Sequence, residues 1–207
     1  MKSMVEWSSL FLALCVVMAG NLEALGQQSP DTLWLQHGDV HLAGDTMPAL
    51  RWTDSPEWDS LNVSFSVPVL DPHQMVVLNG DSVDHAFQMD APGFDPVALP
   101  AGEATVVILP ALESGSYRYH LDTERGHVLG AAGVVRVGYD DLPHYHWNLG
   151  DWEPDRMALV AAGGTVDPEA PYVPRQFTVN DRVHPNTMGD PHGHVQIGVG
   201  TSCYITI

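Results

Sequence analysis

Short segments in which apolar and polar residues alternate recur along the chain: Leu61 to Val67, Gln74 to Leu78, Ala104 to Leu109, Ser116 to His120 and Gly133 to Val137. Between them stand turn signals, namely Asn79-Gly80-Asp81, Pro92-Gly93, Pro100-Ala101-Gly102 and Ser114-Gly115. A period of two sends successive side chains to opposite faces of a pleated strand, so each segment can bury one face and wet the other. With 19 Gly and 16 Pro in 207 residues, the apolar runs are cut too often for a helical bundle. The pattern predicts an all-β sandwich or small barrel.

The first 26 residues have a different character. Lys2 opens a short basic region, Leu10 to Ala19 is an apolar run too short to span a bilayer, and Ala24-Leu25-Gly26 supplies small residues for cleavage. Residues 1–26 are expected to be a signal peptide cut after Gly26, which places the mature chain outside the cell or in a periplasm. Cys15 follows Leu14, a poor context for lipid attachment.

Charge narrows the partners. Eight Lys and Arg stand against 26 Asp and Glu, a formal charge of −18, which repels phosphate backbones and anionic lipid. Nucleic acid and membrane surfaces are therefore not expected partners. Removing Lys2, Glu6 and Glu23 with the leader leaves seven Arg and 24 acidic residues, with no lysine. Only Cys203 remains of the cysteines, so no intrachain disulfide is available in an oxidising compartment. Imidazole and carboxylate are left as the ligands for a metal.

The strand pattern groups into a β domain over 27–138. From Tyr139 to Arg175 the composition turns to Asp, Pro, Trp and Gly, with a strand-like piece at His144 to Leu149 and a short helical or strand piece at Arg156 to Ala162; residues 139–175 read as an inter-domain connection. Strand patterning resumes at Gln176 to Asn180 and His194 to Ile207, ending inside the apolar run Cys203-Tyr204-Ile205-Thr206-Ile207. An unpaired apolar strand is an aggregation hazard, so 176–207 is expected to be the start of a truncated second domain, the alternative being a return of this strand onto the first.

Histidines stand near two strand termini. His85 follows the turn at Asp81-Ser82-Val83-Asp84, and His120 closes Gly115-Ser116-Tyr117-Arg118-Tyr119-His120-Leu121-Asp122, with His127 shortly after. Residues two apart on a strand share a face, so His120 and Asp122 are able to present nitrogen and oxygen to one ion.

The stretch Gly115 to Asp122, followed by Leu129-Gly130-Ala131-Ala132-Gly133-Val134-Val135-Arg136-Val137, resembles the end of the first cupredoxin domain of multicopper oxidases. There the pattern is Gly-Thr-Tyr-Trp-Tyr-His-Ser-His, then Gly-Leu-x-Gly and a Val-rich strand. Val76-Val77-Leu78-Asn79 with His85 is similar to the strand leading to the family's first His-x-His. Gln176 to Arg182 and Val195 to Thr201 look like strands of its second domain. The resemblance spans Leu61 to Ile207. It implies a cupredoxin-like Greek-key sandwich followed by a second, incomplete cupredoxin-like domain, with copper as cofactor.

Carried over position by position, the ligand set is degenerate. His85 matches the first histidine of one pair, but Phe87 replaces the second; His120 matches the first of the other pair, and Asp122 replaces its partner. Leu121 stands where a copper nitrite reductase would have the cysteine of its mononuclear copper. No catalytic residue is assigned. The expected metal site uses His85 and His120 with Asp122 or His127, at a domain or subunit interface completed by a missing C-terminal domain or a second copy. What the resemblance implies is a copper oxidoreductase acting on a small reducing substrate, provided another region or a partner supplies the cysteine-bound copper. The alternative is a non-catalytic copper carrier or interaction module.

Other features are weaker. His144-Tyr145-His146 and His192-Gly193-His194 offer adventitious chelation, Trp147, Trp152, Tyr172 and Phe177 are expected to pack or to contact an aromatic or sugar ligand, and Asn62-Val63-Ser64 fits a glycosylation acceptor. There is no phosphate-binding Gly-rich loop, no Gly-x-Ser-x-Gly elbow and no zinc-protease motif.

Overall fold

The computed structural model describes residues 32–138, 144–183, 186–189 and 204–206. The leader at 1–26, the His192-Gly193-His194 loop and Cys203 lie outside the described residues. Strands run in the order β1 (Thr32–Leu42), β2 (Asp45–Thr53), β3 (Phe65–Val67), β4 (His73–Asn79), β5 (His85–Met89), β6 (Val97–Leu99), β7 (Ala104–Leu109), β8 (Gly115–Leu121) and β9 (Ala132–Val137). Helix α1 (Glu124–Leu129) separates β8 from β9. Beyond them come β10 (His144–His146), β11 (Leu149–Trp152), helix α2 (Pro154–Ala161), β12 (Gln176–Val179) and β13 (Tyr204–Thr206).

Two sheets make the sandwich, one ordered β2-β1-β4-β7 and the other β3-β9-β8-β5-β6. The chain passes between them after β2, β3, β4, β6 and β7, so neighbours in space are often distant in sequence. The expected all-β sandwich is what forms. Leu33, Leu35, Met75, Val77, Val107 and Leu109 from the first sheet meet Phe65, Phe87, Met89, Tyr119, Leu121 and Val135 from the second, all buried. Apolar burial of this kind contributes roughly 1.5–3 kcal/mol per large side chain. An aromatic cluster fixes the centre: Phe87 stacks on Tyr119 at 5.6 Å, and Trp52 meets Phe87 edge-on at 5.6 Å.

Sequence patterning anticipates β4, β7, β8 and β9 closely. It places a strand from Leu61, whereas β3 begins at Phe65, because the Asn62 side chain and the Val63 amide close onto the main chain of Trp52 in β2 without forming a strand ladder. The β1–β2 hairpin turns on Ala43 and Gly44, both with positive φ (49° and 96°), the geometry of a tight two-residue hairpin. Gly44 suits that turn; Ala43 is strained there. Pro48 is accepted in β2 because β2 is an edge strand.

β2 does not alternate, since Ala49, Leu50, Arg51, Trp52 and Thr53 are all buried. One face meets the core, and the other is covered by α2 and the Trp152 ring, which lies 5.0 Å from the Arg51 guanidinium. β11 and β12 pair antiparallel, and Trp152 donates its indole N–H to Thr178 Oγ1 at 2.9 Å. The segment after the sandwich thus folds back onto the β2 edge.

Arg51 is fully buried, and burial lowers its pKa while the Asp181 charge opposes that shift. Its Nε donates to Ser60 O, and Nη1 donates to Leu50 O, Leu129 O and Gly130 O at 2.8–3.2 Å. Nη2 lies 3.7 Å from Asp181 Oδ1, while Asp181 Oδ2 accepts from the Asn62 amide and side chain at 2.9 and 3.0 Å. Asp181 reaches inward from a turn in which Asn180 and Asp181 both have positive φ. Asn62 is committed to this network, its Nδ2 also bonding Gly130 O, so the glycosylation motif places its amide in internal hydrogen bonds rather than in a free loop.

Removing the carboxylate would leave Arg51 charged and unpaired in the interior. Asp181→Ala is expected to lower the free energy of unfolding by about 3 kcal/mol, measured in urea. Amide exchange should rise first in β11 and β12. A loss below about 0.5 kcal/mol would show that the main-chain carbonyls alone satisfy the guanidinium.

Candidate metal centre

The histidines are positioned by the β5–β8 ladder, in which Phe87 pairs with Leu121, Gln88 with His120 and Met89 with Tyr119. Alternation sends His85, Phe87 and Met89 inward with Tyr119 and Leu121, and it sends Gln88 and His120 to the outer face. His85 and His120 therefore lie on opposite sides of one sheet. The expected joint grip of these two residues on a single ion is not formed. They occupy adjacent strands, but with opposite parity.

The outer face brings together other members of the expected set. His120 Nε2 lies 3.3 Å from Asp90 Oδ1, and Nδ1 lies 3.1 Å from Leu121 O. Its ring centroid is 5.2 Å from that of His127, inclined at 35°. Asp122 is exposed on the same side, beyond the end of β8, with its amide bonded to Ala86 O. His127 projects from α1, whose start is capped by Thr123 Oγ1 accepting from Gly126 N at 3.1 Å and whose end is closed by Gly130 with φ 78°. Partial burial and the neighbouring His120 and Arg118 lower the His127 pKa, and Asp122 and Asp90 oppose that shift. The balance favours a neutral imidazole with a lone pair available at neutral pH.

The inner face holds a different arrangement. His85 Nε2 lies 2.9 Å from Asp81 Oδ2, and Nδ1 lies 3.0 Å from Thr123 Oγ1. Asp81 also accepts from Arg125 Nε at 2.7 Å, Arg125 Nη2 at 3.1 Å and the Ser82 amide at 2.8 Å. Burial alone would push the Asp81 carboxyl up. Hydrogen bonds from His85, Arg125 and Ser82, with the Arg125 charge, outweigh it and hold the group well below the usual carboxylate range.

Among the described residues no group of three or more His, Cys, Asp or Glu is arranged to hold a metal ion. A complete copper centre therefore does not fit these residues as they stand: His120 and His127 bring two imidazoles together, both nitrogens of His85 are engaged in the interior, and those of His120 have Leu121 O and the exposed carboxylate of Asp90 as partners. Beside His127 lies a cavity of about 200 Å³, lined also by Asp151, Glu153, Arg156 and Tyr172. Arg156 pairs with Glu153 at 3.0 Å and lies 4.9 Å from the Tyr172 ring centroid. Burial and the nearby Asp151 push the Tyr172 hydroxyl up to about 12. Of the aromatic residues expected to pack or bind, Trp152 is buried, while Tyr172 and Phe177 are exposed.

Sequence reasoning did not select Asp81, Asp90, Thr123 or Arg125. Asp90 meets His120 only through the strand register, and no local spacing signals it. Arg125 stands within a six-residue helix, too short to display a helical period.

No protein-family model and no curated protein sequence matches the chain. Solved structures do. A copper nitrite reductase from Nitrosomonas europaea superposes with a TM-score of 0.61 at 17% identity, over 84% of this chain and 65% of that one. A blue copper oxidase from the same organism gives 0.60 at 18% identity, over 75% and 54%. A multicopper oxidase from Pseudomonas thermotolerans gives 0.56 at 15%, over 73% and 41%. The chain thus carries the cupredoxin-like fold of multicopper oxidase domains, and it spans about half the length of the oxidases it matches.

The Asp81 network carries a pH signature. Its carboxyl stays ionised in the folded chain where an unfolded one, near pKa 3.9, takes up a proton. The stability this contributes is complete above that value and is lost as pH falls through and below it. In wild type the free energy of unfolding is expected to drop between about pH 5 and pH 3, and Asp81→Asn should flatten that drop. An unchanged slope in urea titrations would exclude Asp81 as a source of the acid sensitivity.

Proposed function

We propose that this chain is the N-terminal part of an exported multicopper-oxidase-like protein, and that its outer-face histidines bind copper. The carrying observation is the 5.2 Å approach of the His120 and His127 rings on one side of the β8 strand. Imidazole nitrogen suits copper, and a carboxylate beside the pair adds a harder oxygen donor. Asp122 and Asp90 are the candidates for that oxygen. Expected ligands are thus His120 and His127 with Asp122 or Asp90; His85, on the other side of the β5–β8 ladder, is not proposed as one of them.

Two imidazoles make half a site. Tight binding needs further donors from a C-terminal region or from a second copy of the chain meeting this face. In the domain organisation proposed, residues 27–138 form the cupredoxin-like domain, 139–175 the connection and 176–207 the beginning of a second such domain, behind a cleaved leader over 1–26. Among the described residues no helix is long and apolar enough to cross a membrane, and the proposed destination is secreted or periplasmic. Oxidoreductase activity toward a small reductant requires a cysteine-bound copper supplied from elsewhere, because Leu121 has no ligating atom. The cavity beside His127 is of a size to admit a small molecule.

One observation favours the second reading, a non-catalytic copper carrier or interaction module: no three-ligand group forms among the described residues. The two readings share the His120–His127 pair, so that pair is the first thing to test. Calorimetric titration of the chelator-treated chain with Cu²⁺ is expected to show a site whose affinity falls at least about tenfold when His120→Ala and His127→Ala are combined. Binding should weaken with acidification as His127 protonates, its pKa lying below the ordinary histidine value of about 6.5. Unchanged affinity in the double variant would remove both readings as copper-binding functions of this face.

A further inference from the structure

His85 and its neighbours meet at the inner end of the β5–β8 ladder in an arrangement that engages both nitrogens of its ring. A ligating imidazole gives one nitrogen to the metal and the other to a hydrogen bond. Here Asp81 Oδ2 takes one nitrogen and Thr123 Oγ1 the other, at 2.9 and 3.0 Å, and the side chain is fully covered. The space on the same face is filled by hydrocarbon. Leu121 points inward, and α1 presses its Gly126 so closely onto it that an added Cβ would lie 2.2 Å from Leu121 Cβ.

The polar groups at this spot are instead matched to one another. Asp81 accepts from His85, from two nitrogens of Arg125 and from the Ser82 amide. Arg125 then extends past the carboxylate, donating Nη1 to Val160 O at 2.7 Å and Ala161 O at 3.3 Å, carbonyls in the last turn of α2, the first of which also accepts from the Gly163 amide at 3.0 Å. One carboxylate consequently ties the turn before β5 to α1, and through Arg125 to the end of α2. Thr123 serves twice, on the His85 ring and as the cap of α1.

We infer that Asp81, His85, Thr123 and Arg125 form a metal-free polar lock at the inner end of the β5–β8 ladder, where the resemblance matches His85 to a copper ligand, and that this lock fastens both α1 and α2 to the sandwich. A buried carboxylate held by a guanidinium and an imidazole is strongly destabilising when one partner is lost, and its members act as a unit. A metal centre and such a lock make opposite demands on His85, a bare nitrogen in one case and two protein partners in the other.

Two measurements on the full chain decide it. In long-range ¹H–¹⁵N spectra recorded during Zn²⁺ titration of the chelator-treated protein, the two His85 ring nitrogens are expected to keep their shifts to saturation. Movement of either to a metal-bound shift overturns the lock. The His120 and His127 nitrogens, read in the same spectra, report separately on the outer-face site. In thermal unfolding, Asp81→Asn and Arg125→Met are each expected to lower the midpoint by roughly 10 °C, and the double variant by little more than the worse single one. Additive losses, or single losses below about 2 °C, would overturn it. His85→Gln should bind as many Cu²⁺ equivalents as wild type; loss of an equivalent overturns the proposal, and if this variant does not fold, the wild-type spectra still give the answer.

Discussion

A guanidinium sealed inside a sandwich has to be satisfied on every side, and Arg51 recruits its partners from across the chain. Its acceptors come from β2 itself, from the loop before β3, from the end of α1 and from Asp181 beyond β12. The Trp152 ring covers the remaining face. Desolvating that charge is unfavourable unless these groups are all present, so the sandwich edge at β2 and the returning C-terminal segment are specified together. This explains why an edge strand is buried on both faces. It also fixes α1, because the Leu129 and Gly130 carbonyls that close the helix are the ones Arg51 holds.

With α1 fixed, the two polar centres follow from strand parity. β5 and β8 present alternate residues to the core and to the outside, and α1 crosses the end of that ladder. Arg125 and Thr123 meet the inner set, Asp81 and His85, whereas His127 meets the outer one at His120. A short helix bearing residues two apart can serve both sides because it lies across the open end of the sheet. The acidic character of the chain enters here with a definite role, since Asp90 and Asp122 lie near the outer histidines and Asp81 anchors the inner one, His85.

Much of the sandwich was legible in the sequence because alternation and Gly/Pro turns are local signals. β4, β7, β8 and β9 follow them almost residue for residue. The β1–β2 hairpin was not read, since His37, Asp39, His41 and Pro48 dilute its apolar pattern and the burial of β2 depends on partners more than a hundred residues away. For the site, His120, Asp122 and His127 were identified as a local group, and the structure keeps His120 and His127 together. Joining His85 to them required the relative register of two strands separated by β6 and β7, which no local spacing encodes. A shift of one residue decides which side of a sheet a side chain occupies.

The two faces of the ladder also keep the inner and outer polar groups chemically separate. On the inner face Leu121 adds hydrocarbon to a core that contains Phe87 and Tyr119. Beside it His85 is paired with Asp81 and Thr123. On the outer face, Gln88 and His120 are separated from that network by the sheet itself, so a substitution beside them leaves the inner hydrogen bonds in place. The two histidines that the resemblance matches to separate pairs therefore divide physically, His85 into an inner hydrogen-bonded network and His120 onto the outer face beside a second imidazole.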